Sequence, residues 1–347
     1  GGCPHILAEP QRTNLVTYSS DFDSSWNLDG NNANLTRTSN ATTSPSGEEN
    51  ATKLIGNNIS KDPNNSYIGV NTSAAAPYTT SIFAKKGEYD YLVSGIGSYA
   101  GGYYAIFNLS NGTVSTSPTA SGTTASIEDF GNGWYRCLVN TTNTGGSEIL
   151  FVSTSVDGTL TTNYTNTTNG IYIYGGQVEN GSYATSYIPT SGSTVTRNQD
   201  QFTRDGIGSL INSTEGCVFG EGNFAESNSS SFNYFLSLSD GTANNRLEIR
   251  QSVSNLQFLW RVATYQSEIS TSGLDVSSNF KFAVSYSSAN IKFYVNGNLI
   301  GTISSPTLWT ANTLNRLAFD DGTGGNRLSG KVKQLQVYKT ALTDEQL

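Results

Sequence analysis

The sequence predicts an all-β chain built as two tandem β-sandwich (jelly-roll) domains. Three observations predict it. Tyr, Phe, Ile, Leu and Val recur along the whole chain at the two-residue spacing of strands, and no long stretch carries the 3.6-residue period of a helix. Charged residues make up only 13% of the chain, where soluble domains usually hold about 25%; Ser, Thr, Asn and Gly take their place, as suits hydroxyl-bearing sheet faces and tight turns. The length, 347 residues, leaves room for two cores.

The stretch Ile171–Arg197 sets the division. In Ile171–Tyr174 the isoleucines point one way and the tyrosines the other. Gly175-Gly176 lets the backbone bend where a side chain would clash, and a polar turn follows at Glu179–Ser182. Pro189 has no amide proton for a ladder and marks the expected end of the sheet. Thr190–Thr196 is small and polar and reads as a linker. The domains are therefore expected at 1–197 and 198–347.

In the first domain, Ala51–Ile55 and Tyr78–Ala84 read as strands. Tyr89, Tyr91 and Val93 are expected on one face of the next, and Tyr103, Ala105, Phe107 and Leu109 on one face of another, closed by the hairpin signal Asn111-Gly112. Trp134–Val139 follows the turn Gly131-Asn132-Gly133, and Ile149–Val152 completes the set. In the second domain, Cys217–Gly220, Phe232–Leu238, Arg246–Arg250 and Leu256–Val262 are strands. Phe280, Phe282, Val284 and Tyr286 share a face, and Asn296-Gly297 turns Ile291–Val295 into Asn298–Ile303. Leu314–Asp320 and Lys331–Tyr338 follow, and Thr343 with Gln346 forms a capping box for a short closing helix.

A net charge of −8 with scattered Lys and Arg excludes a phosphate-binding face, so no nucleic-acid partner is expected. No run approaches the ~18 apolar residues of a membrane helix, so no membrane insertion is expected, and no signal peptide is recognisable. The chain has no Met and reads as a processed product or as part of a longer chain. Its three cysteines, Cys3, Cys137 and Cys217, have no metal spacing. Cys137 is expected to be a buried thiol, and Cys3 is the one placed to link a neighbouring subunit or an upstream segment.

Three segments, EPQRTNLVTYSSDF (9–22), GNGWYR (131–136) and SYATSYIPTSGSTVTR (182–197), together resemble a module of marine bacteriophage virion proteins and of surface proteins of Bacteroidetes-like bacteria. The resemblance covers residues 7–197 and implies a carbohydrate-binding-module-like jelly roll. FYVNGNLIGT (293–302) and GKVKQLQVYKTALTDEQL (330–347) resemble the hairpin and closing strand of the concanavalin A-like, laminin G-like sandwich family. That resemblance covers residues 208–347; it implies the fold and no particular ligand.

No catalytic residue is assigned. His5 is the only histidine and lies near the start of the chain, whereas nucleophilic catalysis needs a positioned base. Glu221 and Glu226 read as strand and loop carboxylates, and Glu248 stands alone in LEIR, without the paired acid that glycoside hydrolysis requires. No cofactor is expected; calcium is the one metal the chain could hold, since Asp240, Asp320, Asp321 and Asn326 lie on Gly-rich loops with oxygen ligands. For sugar binding the candidates are Tyr99, Tyr103 and Tyr104 on a Gly-rich turn and Asn244 and Asn245 on a second-domain loop, with Trp26 and Trp309 as further aromatics. Trp134 and Trp260 are expected in the core.

The functional expectation is a non-enzymatic virion surface protein (fibre, capsid decoration or tail component) that presents carbohydrate- or host-binding sandwiches. Its partners would be surface glycans or host polysaccharide, other virion proteins and further copies of itself as a homo-oligomer. Its location would be the virion surface or the extracellular space. The alternative is the ancillary carbohydrate-binding part of a secreted polysaccharide-degrading enzyme or bacterial adhesin, and an autonomous glycoside hydrolase or lyase ranks third.

Overall fold

The computed structural model describes residues 5–29, 35–56, 67–97, 101–143, 148–160, 164, 167–226 and 229–347. The chain is all-β, and every strand pairing is antiparallel. It divides into two compact units, Arg12–Arg197 and Asn198–Leu347, the latter joined by the chain's first residues.

The first unit is a sandwich of two six-stranded sheets. One runs Thr113–Thr116, Tyr104–Asn108, Tyr91–Ile96, Glu148–Ser155, Tyr67–Thr72, Asn27–Asp29. The other runs Thr123–Gly131, Trp134–Thr141, Tyr78–Lys86, Gly170–Asn180, Ala51–Gly56, Leu35–Thr42. Phe107, Leu92, Leu150 and Val152 from the first meet Ile82, Ala84, Val139, Ile171 and Ile173 from the second in one core. At ~25 cal/mol per Å2 of apolar surface removed from water, side chains of this size each contribute roughly 1.5–3 kcal/mol. A ribbon of Val195–Arg197 on Arg12–Asn14 closes the unit.

The second unit is also a sandwich. One sheet runs Ile6–Ala8, Gly330–Tyr338, Gly216–Phe224, Phe280–Tyr286, Asn290–Val295, Asn298–Ser304. The other runs Thr203–Asp205, Arg316–Ala318, Ser229–Ser239, Asn245–Val253, Asn255–Val262, Tyr265–Ser270. Its core is aromatic: Phe224, Phe280, Phe282, Tyr286 and Phe293 face Phe235, Phe258 and Trp260.

The expected alternations hold at most strands. Ile171 and Ile173 enter the core while Tyr172 and Tyr174 join a cluster on the opposite face. The register shifts between Tyr174 and Gln177, so Gly175-Gly176 forms a bulge. Asn296 and Gly297 both have positive φ (50° and 78°), the I′ geometry that this dipeptide favours. All four tryptophans are buried. The closing helix is a 3-10 turn, Asp344–Gln346, in which Gln346 Oε1 accepts a hydrogen bond from Thr343 N (3.0 Å).

Three expectations change. Tyr89 does not share a face with Tyr91 and Val93: the strand starts at Tyr91, and Tyr89 precedes it and turns into the main core. The sheet ends at Asn180 rather than Pro189, because side chains replace the ladder beyond it. Gln177 Oε1 accepts from Ile188 N (2.7 Å) and Glu179 Oε1 from Thr185 N (2.8 Å). The residues before Arg12, expected in the first domain, belong with the second. Ile6–Ala8 pairs with Gly330–Tyr338, with Leu7 opposite Lys331, and Ala8 is buried in the second core. Glu9 and Asp200 hydrogen-bond each other through Glu9 N to Asp200 Oδ2 (2.9 Å) and Asp200 N to Glu9 O (3.0 Å).

Candidate functional site

The strand Thr123–Gly131 lies at one side of its sheet and alternates cleanly. Thr123, Ala125 and Ile127 face inward; Thr124, Ser126, Glu128 and Phe130 face outward and are exposed. Register places Thr124 opposite Asn140, Ser126 opposite Leu138 and Glu128 opposite Arg136, and then Asn140 opposite Thr79 on the next strand. Ser182, Tyr183 and Ala184, just past the end of Gly170–Asn180, form a wall. Together these residues line a groove of about 190 Å3.

The groove has an apolar floor and polar walls. Leu138 is the floor, 6% exposed. Asn140 Nδ2 donates to Thr79 Oγ1 (2.8 Å), which donates to Gly181 O (2.9 Å), so the amide is held with its oxygen uncommitted. Tyr183 is propped from behind by the Arg12 guanidinium, 5.4 Å from its ring centre. Arg12 also faces the buried Glu179 carboxylate (3.8 Å). Arg136 is withdrawn: it is 4% exposed, donates to Ser81 Oγ (2.9 Å) and lies over the Phe83 ring. Glu128 has no hydrogen bond or ion pair among the described residues, so its carboxylate faces water. Hydroxyls, one amide, one carboxylate and a ring around a small apolar floor complement a ligand with both hydroxyl edges and C–H faces.

Beside the groove, on the same face, lies an aromatic cluster of Phe83, Trp134 and Tyr174 with Tyr172 and Tyr187 against it. The three segments at 9–22, 131–136 and 182–197 converge here. Trp134 comes from GNGWYR, Tyr187 from SYATSYIP, and Tyr187 Oη hydrogen-bonds Ser19 Oγ (2.6 Å) of the first segment. Buried Asn14 binds Ile188 O through Nδ2 (2.8 Å) and accepts from Val16 N and Val178 N. The segments therefore form a staple that fixes the sheet's outer surface.

The expected aromatic turn does not form a platform. Tyr99 lies outside the described residues. Tyr103 and Tyr104 are successive residues and point to opposite faces: Tyr103 packs on the inner core and Tyr104 against Val93, Ile106 and Phe151. Tyr104 sits opposite Gly95 in the ladder. Trp26 and Trp309 are buried, 2% and 3% exposed, and donate their indole N–H groups to Tyr18 O and Arg261 O (both 2.8 Å). They cannot stack on a ligand.

In the second sandwich the two acidic loops lie side by side, with Ser239 Oγ donating to Gly322 O (3.4 Å). Their carboxylates close their own turns. Asp240 Oδ1 accepts from Thr242 N and Oγ1 and its Oδ2 from Asn245 Nδ2 (2.8 Å); Asn244 is exposed beside it. Asp321 Oδ1 accepts from Thr323 N (2.9 Å), Thr323 Oγ1 (2.7 Å) and Gly325 N (3.1 Å), and its Oδ2 accepts from Asn326 Nδ2 (3.0 Å). Partial burial pushes both acids up, but these donors outweigh it and hold them below the ordinary carboxylate range. Asp320 is buried, accepts from Gly322 N (2.7 Å) and faces Arg316 (3.7 Å); burial raises its pKa. Calcium needs several converging oxygens with free lone pairs. The three carboxylates already serve the loops or face Arg316, and Asn326 is tied to Asp321 through its Nδ2, so Asp240, Asp320, Asp321 and Asn326 do not fit a calcium cage.

Glu248 is the buried acid that sequence spacing left unexplained. On Asn245–Val253, Leu247 and Ile249 face the core, so Arg246, Glu248 and Arg250 share the other face. Glu248 is fully buried between Arg246 (2.9 Å) and Arg250 (3.7 Å), and neither of its oxygens makes a well-aligned hydrogen bond. Arg250 is itself packed by Phe232, whose ring centre is 4.2 Å away, and donates to Gln257 Oε1 (2.7 Å). Burial pushes the Glu248 carboxyl up to about 7, against the opposing pull of the two guanidiniums. With no exposed surface and an arginine on either side, it stands as an internal brace.

The family comparison bears on the second sandwich. Residues 224–347 match the family model of the concanavalin A-like lectin/glucanases superfamily. No curated protein matches the chain. Among solved structures, the CBM40 of the Ruminococcus gnavus IT-sialidase is similar at 15% identity, over 40% of this chain and 83% of that one, with a TM-score of 0.35. A heptameric SAP-like pentraxin from Limulus polyphemus follows at 17% identity, 42% and 73% coverage and 0.32. The NanB sialidase of Streptococcus pneumoniae gives 15% identity, 42% and 25% coverage and 0.36. Likeness at this level transfers no residue or ligand to this chain.

Proposed function

We propose that the chain is a non-enzymatic, glycan-binding surface protein, and that it acts on a virion as a fibre, capsid decoration or tail component. The observation that carries glycan binding is the open groove of the first sandwich, where Thr124, Ser126, Glu128, Asn140 and Tyr183 offer hydrogen-bonding groups and a ring around Leu138. The superfamily match of the second sandwich supports the same class of partner. The virion setting is supported by the resemblance of the segments at 9–22, 131–136 and 182–197. A non-enzymatic role is supported by Glu248, which is enclosed by two arginines rather than facing a second acid. A single shallow site binds weakly, and repetition on a symmetric particle multiplies the binding by effective concentration.

The test is glycan-array binding of the full chain beside Asn140→Ala and Tyr183→Ala. Binding weakened in both variants while the melting temperature holds supports the reading. Binding to no glycan, as monomer or assembly, overturns it. Mass spectrometry of purified virions for the chain's peptides checks the setting.

A further inference from the structure

We infer that the groove takes an internal run of a linear, neutral or amine-bearing glycan, with Phe130 as the stacking ring at one end. The inference rests on the glycan-binding reading and sharpens it to a ligand class.

The first argument is length. The outward side chains of Thr123–Gly131 are exposed at every second position from Thr124 to Phe130. Six residues of strand span ~20 Å, several times the width of one sugar ring. The binding surface is therefore a track, not a cup for a terminal sugar. Its floor continues along the track, from Leu138 to Arg136, whose guanidinium lies over the Phe83 ring at 5.5 Å from its centre.

The second argument is the ring. Phe130 is 49% exposed, an unusual state for phenylalanine. It is also held: its ring meets Phe83 edge to face, at 4.8 Å and 81°. A fixed, half-open ring at the end of a row of hydroxyl, hydroxyl and carboxylate is placed to stack on the C–H face of a pyranose. Neither Tyr103 and Tyr104 nor the tryptophans offer such a ring.

The third argument is charge. The carboxylate of Glu128 faces solvent unpaired, while the nearby cations are spent. Arg136 is buried on Ser81 and Phe83, and Arg12 is occupied by Glu179 and Tyr183. Lys85 lies past the far end, opposite Trp134, and Asp129 accepts from Gly131 N in the same turn. The charge a ligand meets in the middle of the track is therefore the Glu128 carboxylate, since Arg136 opposite it is buried. It repels sialylated, uronic or sulfated chains and accepts neutral sugars or amino sugars, whose ammonium would pair with Glu128.

The experiment is calorimetric titration of the full chain with neutral β-linked oligosaccharides of increasing length, a chitosan oligomer, sialyllactose and an oligogalacturonate. Affinity should rise about tenfold, ~1.4 kcal/mol, from disaccharide to tetrasaccharide. Phe130→Ala should flatten that gain, and Glu128→Lys should admit the acidic ligands; both residues are exposed, so the fold should persist. Tightest binding to an acidic glycan, no gain with length, or a gain untouched by Phe130→Ala overturns the inference while glycan binding stands. Binding to none of the probes overturns both.

Discussion

The two sandwiches treat the outer face of a sheet in opposite ways. On the first, Thr124, Ser126 and Glu128 stand open to water and the cation opposite Glu128, Arg136, is folded away. On the second, the corresponding rows carry Arg246, Glu248, Arg250 and Gln257, all under a tenth exposed and locked to one another. The first face keeps hydrogen-bonding capacity unspent; the second spends it internally. Polar residues on a sheet face therefore mean little until one knows whether their partners are already in the chain.

The largest effect that could break this contrast is loss of the Glu248 carboxylate. Glu248→Ala leaves the buried Arg246 guanidinium without its carboxylate and Arg250 with only the half-exposed Glu268 (3.7 Å), and should cost about 3–5 kcal/mol, read by denaturant unfolding of the second sandwich. Glu128→Ala on the first should move stability by less than ~0.5 kcal/mol. Equal costs would end the distinction.

The next effect is a pH dependence confined to the second sandwich. Glu248 has a folded pKa of about 7 against an ordinary 4.5, so folding favours its protonated form. That contribution is fully present below the ordinary value and is lost as pH rises through about 7, by roughly 3 kcal/mol for a shift of this size. The second sandwich's melting temperature should fall across that window, and Glu248→Gln should flatten the fall. The first sandwich should show no such slope.

A smaller effect distinguishes loop closure from metal binding. Asp321→Ala removes the acceptor of three donors at Oδ1 and should cost ~1–2 kcal/mol. Neither calcium nor a chelator should move the wild-type transition; a calcium-dependent rise would restore the metal site. The smallest concerns Asn140→Ala, which should weaken glycan binding by ~1 kcal/mol, or about fivefold, with little change in stability.

The fold was largely legible because strand alternation and turn residues are local signals. Ile171/Tyr172, Phe280/Phe282 and Asn296-Gly297 each carry their geometry in adjacent residues. The groove was not legible, since it is assembled across strands: Thr79, Thr124 and Asn140 are neighbours only through register. A signal was present in Thr124-x-Ser126-x-Glu128-x-Phe130, an alternation ending in an outward phenylalanine, but the polar members read as ordinary solvent face. The acidic loops misled for the converse reason. Asp and Gly mark turns and calcium loops alike, and only the hydrogen bonds of Asp240 and Asp321 separate the two. The segments at 9–22, 131–136 and 182–197 were distinctive because they staple the sheet through Asn14, Ser19 and Tyr187, so their resemblance speaks of scaffold rather than of ligand.

The strand Ile6–Ala8 also has a consequence for how the chain is made. Its partner, Gly330–Tyr338, leaves the ribosome roughly 320 residues later. At ~5–20 residues per second, Ile6–Ala8 waits on the order of tens of seconds with its ladder groups unpaired. The first sandwich can close as soon as Val195–Arg197 pairs with Arg12–Asn14, so it folds during synthesis, between two halves of a domain still open. A short apolar edge left unpaired that long is exposed to strands of neighbouring nascent chains. Slowing translation beyond Arg197 should therefore lower the soluble yield of the full chain.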